Sequence, residues 1–314
     1  MSKRRLYETA EILVYDLVAE NRNGTRASLH SVGFRKVELA ASLEALEAAL
    51  TSRSPDLLLV EVAESATEIC ALLQSVRQGL LGWNPFIVMV ASTWRRDAAL
   101  VRQILNAGAD DLIVRPVSGS QLDERIGAQI ERRKRFVVTP DYVGPDRRDS
   151  NRPGSECFEV PNPLKLRTGD GLGEHEVEHR IAEEIERGKE MLNHEKLRLD
   201  AVQLLLQWRL LEQREAGNGD FFFILSRIEK TAEDIKRRAC FSRDESVLGW
   251  CDSVIDSINT TRAMKAATDG DGVKDFSPPL HLLENAVCTL ARICAPEWRE
   301  PAEPSSPTVR RPAA

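Results

Sequence analysis

No apolar run in the 314-residue chain reaches the roughly 20 residues needed to cross a membrane. The basic start, Met1-Ser2-Lys3-Arg4-Arg5, is not followed by the apolar stretch of a signal peptide. A soluble, cytoplasmic protein is therefore expected. The six cysteines (Cys70, Cys157, Cys240, Cys251, Cys288, Cys294) contain no CxxC pair, and neither disulfides nor a zinc site is expected. Several fall at apolar positions of expected helices, where reduced core thiols are the ordinary outcome. A formal net charge of -6 disfavours a generic nucleic-acid binder, and no helix-turn-helix segment stands out. At 42% hydrophobic residues the chain can bury real cores, and its length suits two domains with connecting segments.

What is present begins with Pro55-Asp56-Leu57-Leu58-Leu59-Val60-Glu61-Val62. This short apolar run behind Ser/Pro reads as a parallel strand buried on both faces, ending in one carboxylate. Around it, Glu11–Asp16, Val37–Ala40, Phe86–Val90 and Asp111–Val114 read as further strands. Helices are expected from about Asn23 to Val32, from Ser42, from Glu64 to Leu80, from Trp94 to Ala107 and from Ser120 to Arg132. Gly108 is a favoured helix stop. Strands alternating with helices over residues 10–133 give a doubly wound α/β domain with a five-stranded parallel sheet. In such sheets ligands bind beyond the C-terminal strand ends, where Glu61 is placed.

Gly108-Ala109-Asp110-Asp111-Leu112-Ile113-Val114-Arg115-Pro116 resembles the last strand of response-regulator receiver (CheY-like) domains, and the Pro55 stretch resembles their phosphoacceptor strand. The resemblance implies a flavodoxin-like 2-1-3-4-5 sheet. It also implies an acceptor Asp, an acidic pair that binds Mg²⁺, a hydroxyl after the fourth strand, a Lys after the fifth and an aromatic on it. This sequence departs at most of those positions. Glu61 stands at the acceptor, one methylene longer; Asp16 is followed by Leu17 rather than a second acid; Val90 stands at the hydroxyl position. Arg115 replaces the Lys and Leu112 the aromatic, while Pro116, after a cis bond in the family, is retained. The expectation is a pseudo-receiver with little use for Mg²⁺, in which Glu61 is a permanent negative charge paired with Arg115. The plainer alternative is a tolerated carboxylate at a strand end.

Residues 134–173 are expected to be an extended linker whose Phe136, Val137, Val138 and Tyr142 dock on one of the domains. Arg147, Arg148 and Arg152 have the RRxxxR spacing of PilZ domains that bind cyclic di-GMP, but the β-barrel and DxSxxG-like motif of that family are missing, which favours a solvated basic loop.

Residues 174–295 read as helix only. A long amphipathic stretch from Glu174 to about Glu215 is broken at Ala216–Asp220, with Asp220 as a candidate N-cap. Helices follow from Phe221 to Ala239, from Ser242 to Met264 and from Pro279 to Cys294, with a turn at Gly270-Asp271-Gly272; they are expected to pack as an antiparallel bundle. Ala232-Glu233-Asp234-Ile235-Lys236-Arg237 resembles the active helix of histidine phosphotransfer domains, with Glu233 at the phosphorylated His position. A plain dimerisation bundle is the alternative. His175-Glu176-Val177-Glu178-His179 matches HExxH, the helical zinc-hydrolase motif, yet its charged neighbours fit a solvated helix face better. The tail 296–314, rich in Pro, is expected to be disordered.

The function expected is non-enzymatic two-component signalling through protein partners: a histidine kinase, a response regulator or a second copy of the chain, without DNA or membrane. The alternatives are an active phosphorelay regulator with an atypical acceptor, Asp16 or Asp111, and, more remotely, the zinc hydrolase.

Overall fold

The structure is a computed structural model that describes residues 7–62, 66–148, 157–169, 173–214, 219–266 and 276–298. It divides into two compact units, residues 1–196 and 197–314, each described by itself.

In the first unit β1 (Glu11–Tyr15), α1 (Ala19–Val32), β2 (Lys36–Ala40), α2 (Leu43–Ser52) and β3 (Leu57–Glu61) are followed by α3 (Ala66–Arg77), β4 (Val88–Thr93), α4 (Ala98–Asn106), β5 (Asp111–Val114) and α5 (Gly119–Arg132). The five strands pair in parallel in the order β2-β1-β3-β4-β5, the flavodoxin-like doubly wound arrangement. β3 is central, and every residue in it is buried, because one core lies on each face of the sheet. Leu58 and Val60 face the core that contains Leu46, Leu73 and Ile104, while Leu57 and Leu59 face the one that contains Leu29, Leu122 and Ile126. Local chemistry sets the helix ends. Ser42 and Asp97 accept bonds from Ala45 N and Ala99 N, and Ser118 forms a capping box with Gln121.

β4 differs from the expectation. It starts at Val88 and runs on to Thr93, so the helix expected from Trp94 begins only after the Asp97 cap. The polar pair Ser92-Thr93 continues the ladder as hydrogen-bonded strand rather than loop, with Ser92 opposite Glu61 and Thr93 opposite Val114.

Residues beyond α5 form a small antiparallel sheet of β6 (Phe136–Val138), β7 (Val143–Pro145) and β8 (Cys157–Phe158), in the order β7-β6-β8. The short helix α6 (Pro163–Arg167) follows. The segment read as an extended linker is thus sheet with docked apolar residues: Phe136, Val137, Val138 and Val143 are all buried. A charged knot fastens it below the parallel sheet. Buried Asp110 accepts from Arg77 Nη2 at 2.6 Å, from Arg133 Nε at 2.9 Å and from Met89 N at 2.8 Å. The Phe136 ring lies 4.9 Å from the Arg77 guanidinium and 5.0 Å from that of Arg133. Gly108 is required here: its φ is +89°, and a Cβ would meet Arg77 Cγ and Val143 O at 2.8 Å. The beginning of α7 (Glu174–Glu212) also belongs to this unit; Gly188 on it leaves room for the Phe86 ring, which a Cβ would approach to 2.7 Å.

The second unit is helical. The end of α7 packs with α8 (Gly219–Ser242), α9 (Glu245–Ala266) and α10 (Ser277–Cys294) around Leu204, Trp208, Leu225, Ile235, Val254 and Val287. Asp220, expected to cap α8, lies within its first turn. Inside this core buried Arg238 stands 3.6 Å from buried Asp200, and Thr231 donates to Gln207 at 3.1 Å. Glu64, Arg152, the Ala216–Asn218 break, the 270–272 turn and residues 299–314 lie outside the described residues. Trp298, inside the segment expected to be a disordered tail, packs against the helical core. No helix among the described residues is long and apolar enough to cross a membrane.

Candidate functional site

The C-terminal ends of β1, β3, β4 and β5 bring Asp16, Glu61, Ser92 and Arg115 together. Asp16 follows β1 and is 1% exposed; its Oδ1 accepts from Val18 N at 2.9 Å, which orients the carboxylate. Glu61 ends β3 and is also buried. Arg115 leaves β5, its own N–H bonded to Thr93 O at 2.8 Å, and the Arg115–Pro116 peptide is cis. Its guanidinium reaches across the strand ends. Nε donates to Ser92 Oγ at 3.2 Å, Nη2 donates to Thr25 Oγ1 on α1 at 3.1 Å, and Nη2 lies 3.5 Å from Asp16 Oδ2.

Two expectations need correction. The first is the ion pair. The carboxylate facing Arg115 is Asp16, because Thr25 and Ser92 together draw the planar guanidinium to the β1 side of the site. Among the described residues no ion pair or hydrogen bond joins Arg115 to Glu61, which has interactions of its own. The second is the hydroxyl. Val90 lies opposite Leu59 and Asp111 in mid-sheet and packs in the core, so it is not a strand-end residue; Ser92 holds the place beside Glu61. The chain therefore retains a hydroxyl where its absence was expected.

Leu17 is 49% exposed, so the position of the second acid presents an alkyl group to solvent. Leu112 is half-buried against the core. Tyr15, which the sequence did not single out, feels the two carboxylates: burial raises its phenol above the ordinary range, and Glu61 and then Asp16 push the same way. Thr25 had no sequence signal, being one hydroxyl on a polar helix. Ser92 was legible as the hydroxyl that follows the apolar run, but only the strand register assigns it.

The other candidates disperse. Asp111 begins β5 and is 3.3 Å from Arg125, away from the C-terminal strand ends that carry Glu61 and Arg115. Arg147 donates to the carbonyls of Ala109 and Asp110, and Arg148 is bonded to Asp146 at 2.9 Å, so the first two arginines of the RRxxxR spacing are engaged within the fold. His175 is exposed, His179 is exposed and lies 3.5 Å from Glu183, and no group of three His, Cys, Asp or Glu among the described residues could hold a metal ion. Glu233 is exposed on α8, in the same helix as Lys236, which pairs with Asp252 of α9, and Arg237, which pairs with Asp234 at 2.8 Å.

Chemically, the site offers two buried carboxylates, two hydroxyls, and one cation shared among three oxygens. A guanidinium so placed neutralises the charge that a bound cation would otherwise balance. No protein-family model matches the chain, and no curated protein matches it either. Among solved structures it is similar to a response regulator from Thermotoga maritima, at 24% identity over 38% of this chain and 94% of that one, with a TM-score of 0.34. It is also similar to a CheY-like response regulator receiver domain protein from Methanospirillum hungatei, at 25% identity over 38% of this chain and 92% of that one, with a TM-score of 0.35. The fold rests on the strand order and register given above, not on these likenesses.

Proposed function

We propose that this chain is a non-enzymatic signal-transduction protein of the two-component class, whose first unit is a pseudo-receiver that acts by binding other proteins. The observation that carries the proposal is the placement of Arg115. Its guanidinium lies 3.5 Å from Asp16 and bridges to Thr25 and Ser92, in the space where a receiver would need metal and phosphoryl group. The donor set does not fit Mg²⁺: Leu17 supplies no oxygen, and the carboxylate of Asp16 already faces a cation. Glu61 supplies a fixed negative charge at the acceptor position, and no phosphoryl transfer is expected there.

The partners are a histidine kinase, a response regulator or a second copy of the chain, met in the cytoplasm, with neither DNA nor membrane involved. α4 and α5 are the surfaces that the receiver resemblance offers for such contacts. The helical unit serves as a phosphotransfer-like module with Glu233 in place of the phosphorylated His, or as a plain dimerisation bundle. The partner class follows from the receiver resemblance, while the loss of chemistry follows from the residues at the site.

The test is to incubate the full chain with Mg²⁺ and radiolabelled acetyl phosphate, beside a triple variant Leu17→Asp, Glu61→Asp, Arg115→Lys. The wild type should take no acid-stable label and show no Mg²⁺ heat by calorimetry, whereas the variant should gain both. Stoichiometric, Mg²⁺-dependent label on the wild type would refute the proposal and favour an active regulator with an atypical acceptor.

A further inference from the structure

Between α9 and α10 of the helical unit lies an open groove of about 440 Å³. Trp250, Asp256 and Met264 of α9 line it from one side, and Pro278, Pro279 and Leu282 of α10 from the other. Trp250 is half-buried against the bundle core, and Leu282 is 65% exposed at the groove. Asp256 is exposed and makes no ion pair among the described residues. An indole, two proline rings and an aliphatic side chain beside one carboxylate suit a proline-rich strand that carries a cation.

The chain contains such a strand. Pro301, Pro304 and Pro307 recur at every third residue, Arg310 continues the period and Arg311 follows it. Polyproline II has three residues per turn, so in that form these positions share one edge. We propose that residues 301–311 of this same chain occupy the groove, the prolines against Trp250 and Leu282 and the Arg310-Arg311 pair toward Asp256.

Reach and charge both support this occupant. α10 has 18 residues, about 27 Å at 1.5 Å per residue. Trp298, just beyond α10, packs on the bundle core and fixes where the segment starts. Residues 299–310, at about 3.1 Å each in polyproline II, span about 37 Å, enough to return along α10 to its first turn. A tether this short holds the segment at an effective concentration in the millimolar range, which favours the chain's own segment over one from another molecule. Two arginines against one unpaired aspartate complete the match.

The test uses the full chain, a variant ending at Trp298, and a synthetic peptide of residues 299–314 titrated into each by calorimetry. The peptide should bind the shortened chain at least about 10-fold tighter than the full chain, whose groove is already filled. Leu282→Ser and Asp256→Lys, both at exposed positions, should each weaken peptide binding to the shortened chain about 10-fold, while circular dichroism and melting temperature stay as they were. Failure of the peptide to bind the shortened chain, or equal binding to both chains, would overturn the proposal. So would a full chain that dimerises at micromolar concentration through this groove while the shortened one stays monomeric, since the occupant would then be a second copy.

Discussion

The two ends of the parallel sheet each set arginine against a buried aspartate, with opposite consequences. At the N-terminal end, Asp110 collects two guanidinium groups and a backbone N–H at 2.6–2.9 Å, and Phe136 lies close to both cations. Burial alone would raise the Asp110 carboxyl, but Arg133 and Arg77 outweigh it and hold the carboxyl below the ordinary range. Burial brings Arg77 down to about 10, still far above neutrality. At the C-terminal end, Arg115 faces Asp16 at 3.5 Å and divides its donors between two hydroxyls. The lower cluster is saturated and holds a second sheet in place. The upper one is loosely bonded, with one 3.5 Å ion contact and two hydroxyl bonds. An ion pair's role is thus set by how many of its lone pairs and N–H groups are satisfied, more than by its burial.

The largest expected effect comes from the lower cluster. Asp110→Ala strands two buried guanidinium groups and should cost about 3–5 kcal/mol of stability in urea unfolding. A loss under about 1 kcal/mol would show that the two ends are energetically alike.

Next is Asp56, at the same end of the sheet just before β3. It is buried, accepts from Glu11 N at 2.8 Å and from Arg167 Nε at 3.1 Å, and burial raises its carboxyl to about 6 despite Arg167. A carboxyl raised in the folded state binds its proton more tightly there than in the unfolded chain. Its contribution therefore falls as pH rises from about 4 to about 6, by about 3 kcal/mol in all. Asp56→Asn should flatten that part of the stability–pH curve; an unchanged slope would remove Asp56 as its source.

The smallest effect is expected at the upper end. Arg115→Met removes one 3.5 Å ion contact and two hydroxyl bonds, and should cost about 2 kcal/mol in the same urea series. A cost above that of Asp110→Ala would reverse the ranking of the two ends.

Much of this was legible in the residues. The apolar runs at β1, β3 and β5 and the helix stop at Gly108 have local causes, and the structure has these elements where those causes put them. The departures share one physical origin. The start and end of β4 depend on pairing with β3 and β5, so Ser92 and Thr93 looked like loop and Val90 like a strand end. The pairing of Arg115 with Asp16 depends on Thr25, which α1 presents from 90 residues away. The small sheet was read as linker because its strands are two or three residues long, too short to announce themselves by periodicity.

The alternation of strand and helix, the helical character of the second half, and the alkyl group of Leu17 and carboxylate of Glu61 at their strand ends come from the residues alone. These are written in side-chain type and in spacing over a few residues. Which carboxylate Arg115 serves, which hydroxyl stands beside Glu61, and the folding back of the residues after α5 as a sheet onto Arg77 and Asp110 appear only in the folded chain. Those outcomes depend on register and on contacts between residues far apart in the chain, and hydrophobic pattern constrains neither.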